Sequence, residues 1–146
     1  MKKLRIYTDG AYSSARNQGG IGIVFVEEHE NGNRIVGEFS HGYKNTTNNR
    51  MEVRAILLAL KSIVESIEHV IIISDSMYAI GGSHIGSVKN KRNKNVDLFQ
   101  QLDKVVIEKK SLINKLEIAW VKGHYEDKYN ERADALAVEA SQTLIL

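Results

Sequence analysis

The chain has 146 residues, 26% of them charged and 42% hydrophobic, a balance that fits one globular domain over residues 1–146 and excludes a disordered or membrane-embedded chain. Cysteine is absent, which excludes disulfide frameworks, thiolate nucleophiles, Cys-ligated zinc and iron–sulfur clusters. The 20 Lys and Arg exceed the 18 Asp and Glu by only two, and the surplus is local: Lys89, Lys91, Arg92 and Lys94 lie in a stretch, Ile80 to Val96, that contains no acid. Such a patch could meet a polyanion, although a basic run of this kind more often reads as a solvated loop.

The longest apolar run, Ala55 to Leu60, is far short of the ~20 residues that span a bilayer, so no membrane association is expected. Lys2 and Lys3 resemble the start of a signal peptide, but Thr8 and Asp9 break any apolar region behind them. The expectation is a cytoplasmic monomer.

Leu4 to Ala11 alternates apolar and polar residues and reads as a strand that ends by presenting Asp9. Ser13–Gly20 reads as a loop and Ile21–Glu28 as a second strand. An Asn31-Gly32 turn then leads into a third strand, Arg34–Tyr43, to complete an antiparallel meander. Val53, Ile56, Leu57, Leu60, Val64 and Ile67 recur at helical intervals, which predicts an amphipathic helix from Asn49 to Ser66. His69–Ser74 is short and β-branched, as in a strand buried on both faces. A short helix from Ser76 is expected to stop at Gly81-Gly82. Asn95 is a candidate cap for a helix from Val96 to Lys110. Lys115–Val121 reads as a strand and Asn130–Ala140 as a last helix. This order predicts an α/β fold: a five-stranded mixed sheet, three antiparallel strands followed by parallel additions, with helices on both faces.

Four acids occupy the junctions of these elements. Asp9 ends the first strand, Asp75 follows the buried strand, and Glu52 and Asp134 fall in the first turns of helices. Each has an ordinary local reading. Glu52 can pair with Asn49 in a capping arrangement, and Asp134 can face the positive end of its helix. Asp75 can cap the following helix, and Asp9 can form a turn before Gly10. If they converge instead, their mutual repulsion calls for a cation, and carboxylate oxygens are the ligands that Mg²⁺ prefers. Two such ions can activate a water and stabilise a leaving oxygen in phosphodiester cleavage. His124, in the polar loop Gly123–Tyr129, is the most suggestive of the five histidines, since a loop histidine can move and has an ordinary pKa near neutral pH, and it reads equally well as a solvated loop residue.

The segments Tyr7-Thr8-Asp9-Gly10-Ala11, Thr46-Thr47-Asn48-Asn49-Arg50-Met51-Glu52, Ser74-Asp75-Ser76, Trp120-Val121-Lys122-Gly123-His124 and Asn130-Glu131-Arg132-Ala133-Asp134-Ala135-Leu136-Ala137 together resemble type 1 ribonuclease H, in that family's order and with nearly its spacing. The resemblance covers about residues 4 to 140 and implies the ribonuclease H-like fold. It also implies an endonuclease that cuts the RNA strand of RNA–DNA hybrids with two Mg²⁺ ions, or Mn²⁺, leaving 5′-phosphate and 3′-hydroxyl ends. Asp9 would then bridge both metals, Asp134 would hold the one that activates water, and Glu52 and Asp75 the one at the leaving oxygen. His124 would assist proton transfer or product release. Thr47, Asn48 and Asn49 would approach the nucleic acid, and Lys89, Lys91, Arg92 and Lys94 would meet its phosphates.

Three departures from the family pattern stand out. Residues 81–94 are too few for the full basic helix that many members carry, and the Lys89–Lys94 run stands partly in its place. Ala15 occupies a position that is commonly Asn, with Asn17 the candidate replacement, and Met77 one that is often Gln. Other two-metal nucleases of the same fold, such as resolvases and integrase cores, and a non-catalytic hybrid-binding module are the competing functions.

Overall fold

A computed structural model describes residues 2–122 and 127–145. Its strands are β1 (Lys3–Ser13), β2 (Gln18–His29), β3 (Gly32–Lys44), β4 (Ile67–Ser74) and β5 (Ile113–Trp120). The helices are α1 (Asn48–Lys61), α2 (Met77–Ser83), α3 (Val96–Lys109) and α4 (Lys128–Gln142). The strands form one sheet in the order β3-β2-β1-β4-β5. β1, β2 and β3 pair antiparallel, whereas β4 joins β1 and β5 joins β4 in parallel. This is the mixed sheet expected from the alternation of strands and helices.

The two faces are filled by different layers. Leu4, Ile6, Ile21, Ile23 and Ile72 join Met51, Ile56, Leu57 and Leu60 of α1 and Leu98, Phe99 and Leu102 of α3 in the larger core. On the opposite face Tyr7, Val24, Val26 and Ile73 pack with Ala133 and Leu136 of α4. The period-two alternation of each strand thus feeds two cores at once.

Several expectations shift. α1 ends at Lys61, not Ser66: Val64 is 81% exposed, and Ile67 enters the sheet opposite Ile113. Helical spacing at Val64 and Ile67 was coincidental, because sheet pairing claims Ile67. Gly81 and Gly82 lie inside α2, and the helix ends instead at His84 in a left-handed conformation. Gly82 serves close packing: a Cβ there would lie 2.2 Å from the Phe99 ring. Asn95 precedes α3 in a left-handed conformation and makes no side-chain cap. Its side chain is spent elsewhere, accepting from Arg50 and donating to the Tyr78 hydroxyl.

α4 comes unusually near the sheet. A Cβ on Gly22 would lie 2.1 Å from the Ala133 carbonyl oxygen, and one on Gly20 2.2 Å from that of Ala137. No side chain fits either gap, so glycine on β2 and alanine on α4 set the distance between helix and sheet. Gly22→Ala should therefore destabilise the protein by about 1–3 kcal/mol or more, because backbone must move to admit the methyl group. Gly37→Ala, whose Cβ would meet only ordinary contacts starting at 3.5 Å, is the control and should change stability by about 0.5 kcal/mol or less. Urea unfolding midpoints of the two variants test this; equal midpoints would show that α4 is not held by the glycine seam.

Candidate active site

β1 outruns its parallel neighbour. Pairing with β4 ends at Thr8 opposite Ser74, while pairing with β2 continues through Asp9 opposite Gly22 to Ser13. Asp9 therefore lies inside β1 and not at its end, at the level where β4 stops and Asp75 begins. The backbone edge freed by β4 is used at once: the Gly10 N–H donates to Glu52 Oε1 at 2.5 Å and to Asp9 Oδ1 at 2.9 Å. α1 reaches this edge because Gly10 has no side chain; a Cβ there would lie 2.5 Å from the Glu52 backbone nitrogen.

Asp9, Glu52 and Asp75 each offer a carboxylate oxygen, and the three oxygens lie within 4.8 Å of one another. Asp9 is 3% and Glu52 5% exposed, and Asp75 is half-buried. Asp134 stands in the second turn of α4 and acts on Asp9 through its charge from the opposite helical layer. The indole Nε1 of Trp120 donates to the Asp75 carbonyl at 3.3 Å, tying the end of β5 to the end of β4.

The local readings of the four acids fail. Thr47 caps α1 by accepting from the Arg50 N–H, the first turn has no acid, and Glu52 sits in the second. Ser76, not Asp75, caps α2 by accepting from the Ala79 N–H. Asp127 caps α4 and Glu131 is the acid of its first turn, which leaves Asp134 a turn further on. The tetrad is thus not explained by capping.

Electrostatics are adverse within the cluster. Burial pushes the Glu52 carboxyl up to about 11, with the charges of Asp9 and then Asp75 adding to it. Burial likewise pushes Asp9 up to about 8, and the charges of Asp75 and Asp134 reinforce the rise. Asp9 Oδ2 is buried without a hydrogen-bond partner. An orphaned carboxylate oxygen facing two further carboxylates is a hard-oxygen donor set that fits a divalent cation.

The remaining candidates lie outside this cluster. Thr47, Asn48 and Asn49 are exposed at the start of α1. Lys89, Lys91 and Lys94 are exposed and form no ion pair among the described residues. Arg92 departs from its expected role: its guanidinium turns inward onto Asp103 and the Gly82 carbonyl. Asn17, the candidate replacement beside Ala15, is committed to local contacts, accepting from the Tyr12 hydroxyl and donating to Asn45 Oδ1. Met77 opens α2 and is exposed. His124 lies outside the described residues. Sequence reasoning did not anticipate the Gly10 N–H or the Trp120 indole, whose contacts join elements distant in sequence.

The family model for RNase H matches residues 1–142. The chain belongs to the RNase H family. It is 39% identical to a protein of Acetivibrio thermocellus named Ribonuclease H, over 95% of each chain. A Trichodesmium erythraeum protein of that name is 38% identical over 99% of this chain and 92% of its own length. One from Shewanella amazonensis is 37% identical over 97% and 90%. The five-stranded mixed sheet is the fold of this RNase H family, and the Asp9, Glu52 and Asp75 cluster fits a family of metal-dependent enzymes.

The raised carboxyls make metal-free stability depend on pH. A carboxyl whose folded pKa exceeds its unfolded value contributes stability that is full below the unfolded pKa and lost as pH rises through the folded one. Asp9 goes from an ordinary value near 4 to about 8. The Tm of the metal-free protein should therefore fall between about pH 4 and pH 8, less steeply in Asp9→Asn, and Mg²⁺ should restore it at the alkaline end. Parallel Tm profiles for the two proteins in EDTA would refute the buried-charge account.

Proposed function

We infer that this chain is a ribonuclease H: it hydrolyses, endonucleolytically, the RNA strand of RNA–DNA hybrids. The observation that carries this reading is the convergence of Asp9, Glu52 and Asp75 around an unpartnered buried oxygen, in a chain matching the RNase H model over residues 1–142. Two Mg²⁺ ions, with Mn²⁺ as the substitute, would supply positive charge that eases formation of the attacking oxygen and offsets the charge developing on the leaving 3′-oxygen.

The resemblance to type 1 ribonuclease H supports one task for each residue. Asp9, buried within the cluster, would help to hold both ions. Glu52 is oriented by the Gly10 N–H and, with Asp75, serves the leaving-group side. Asp134, arriving from α4, serves the side of the attacking water. His124 moves a proton or helps the product leave. Cleavage on this scheme leaves 5′-phosphate and 3′-hydroxyl ends. Thr47, Asn48 and Asn49 face the nucleic acid from the start of α1.

The substrate class follows from shape. A hybrid is close to A-form, with a shallow minor groove that displays 2′-hydroxyls on one strand only. Amides and hydroxyls can read those groups without reading sequence, while lysines position the duplex through its phosphates. No helix among the described residues is long and apolar enough to cross a membrane. A monomer working in the cytoplasm is the simplest assembly for such an enzyme.

The test is cleavage of a labelled hybrid beside RNA and DNA duplexes, with and without Mg²⁺. The expected result is cutting of the hybrid's RNA strand alone, and only with the metal. Equal cutting of a DNA duplex would favour another nuclease of the fold, and binding without cutting a non-catalytic module. Asp9→Asn should lower turnover by about 10³-fold or more, since several kcal/mol of transition-state stabilisation are lost at roughly 1.4 kcal/mol per tenfold. Its metal-free Tm should hold or rise, and near wild-type turnover would overturn the assignment. His124→Ala should keep measurable activity, with a loss near the low end of the ~10²–10⁴ that acid–base groups contribute. A loss of hybrid affinity at unchanged kcat would instead make His124 a substrate contact.

A further inference from the structure

The basic segment between α2 and α3 has no regular structure, yet it is tied down along its length. At its start the His84 ring meets the Asn90 carbonyl at 2.8 Å, and the Asn90 N–H donates to the Gly81 carbonyl at 2.9 Å. In its middle Arg92 forms a two-pronged pair with Asp103 of α3, at 2.6 and 2.7 Å, while its Nε donates to the Gly82 carbonyl at 2.8 Å. The same guanidinium lies over the Phe99 ring, 5.2 Å from its centre. At its end the Tyr78 hydroxyl donates to the Lys94 carbonyl, and Arg50 of α1 holds both Asn95 and Asp97.

Arg92 is thus the one cation of the run facing inward, and Lys89, Lys91 and Lys94 face solvent around it. Arg50 lies two residues before Glu52, so the far end of the loop is registered to the helix that carries a carboxylate of the cluster. A planar guanidinium that satisfies a carboxylate and a carbonyl together fixes direction as well as distance, which a lysine cannot do.

We propose that Arg92 is a positioning residue: by joining α2 to α3 it holds the 84–95 loop in one conformation, so that Lys89, Lys91 and Lys94 meet the phosphates of the hybrid as a preformed cationic edge. The proposal rests on the reading of the chain as a hybrid-cleaving enzyme. Loosening the loop leaves all three lysines present but makes binding pay for ordering them, so affinity falls while the chemistry at saturation does not.

The experiment uses steady-state cleavage of a hybrid by the full chain in Mg²⁺, with Arg92→Gln, Asp103→Asn and the triple variant Lys89→Gln, Lys91→Gln, Lys94→Gln. Arg92→Gln and Asp103→Asn break the same pair from opposite sides and change net charge in opposite directions. Positioning predicts that both raise KM, by roughly three- to tenfold, with kcat little changed. Plain electrostatic attraction predicts that Arg92→Gln raises KM and Asp103→Asn lowers it, and that outcome overturns the proposal. The triple variant should raise KM and flatten the salt dependence of binding, and adding Arg92→Gln to it should do little more. A full additive effect of Arg92→Gln on the triple background, or no effect of the triple variant, also overturns it. Thermal unfolding of each variant, with assays held below the lowest midpoint, separates a folding defect from a KM effect. If the wild-type chain fails to cleave the hybrid, the functional reading falls and this proposal with it; wild-type cleavage with unmoved KM in both single variants removes this proposal alone.

Discussion

Crowding buried carboxyl groups side by side is the constraint around which this molecule is built. Asp9 and Glu52 are nearly inaccessible to water, and Asp75 and Asp134 add to the repulsion. A fold that buries such a group must hold it rigidly, since relaxation would let the carboxylates part or hydrate. Three features of the backbone supply that rigidity. β1 is paired on both sides up to Thr8 and on one side beyond it, so Asp9 stands on a strand that cannot fray. The Gly10 N–H ties Glu52 to that strand. The glycine seam on β2 then brings α4, and with it Asp134, hard against the sheet.

Each layer of the α/β architecture therefore contributes to one point. The sheet provides Asp9 and the end of β4 provides Asp75, whereas Glu52 and Asp134 come from helices on opposite faces. A doubly covered sheet is an economical way to bring Asp9, Glu52 and Asp75 together, with the charge of Asp134 acting on Asp9 from the other face, because the end of β4 is where both helical layers and the sheet come within reach.

Much of this was legible in the residues. The alternation in Leu4–Ala11 and the β-branched run before Asp75 identify two central strands, and the order of elements identifies a mixed sheet. What could not be read was register. Asp9 looks like a strand end because β2 is invisible to a pattern confined to one segment. Val64 and Ile67 continue a helical rhythm that the contact between Ile67 and Ile113 interrupts. Convergence of the acids rested on resemblance, as spacing alone left capping an equal explanation for each of them. Arg92 shows the limit most plainly. Composition counts its charge among four cations, but its direction depends on Asp103, eleven places along the chain, and on Gly82 behind it.

Trp120 carries a consequence for optical work on the protein. It is the only tryptophan in the chain, and its indole N–H is bound to the carbonyl of Asp75. Indole emission from this protein therefore originates within one hydrogen bond of the carboxylate cluster and from nowhere else. An ion held in that cluster would change the field at the fluorophore directly, so native fluorescence would follow ligation there without a label, and a paramagnetic ion such as Mn²⁺ would quench it at short range.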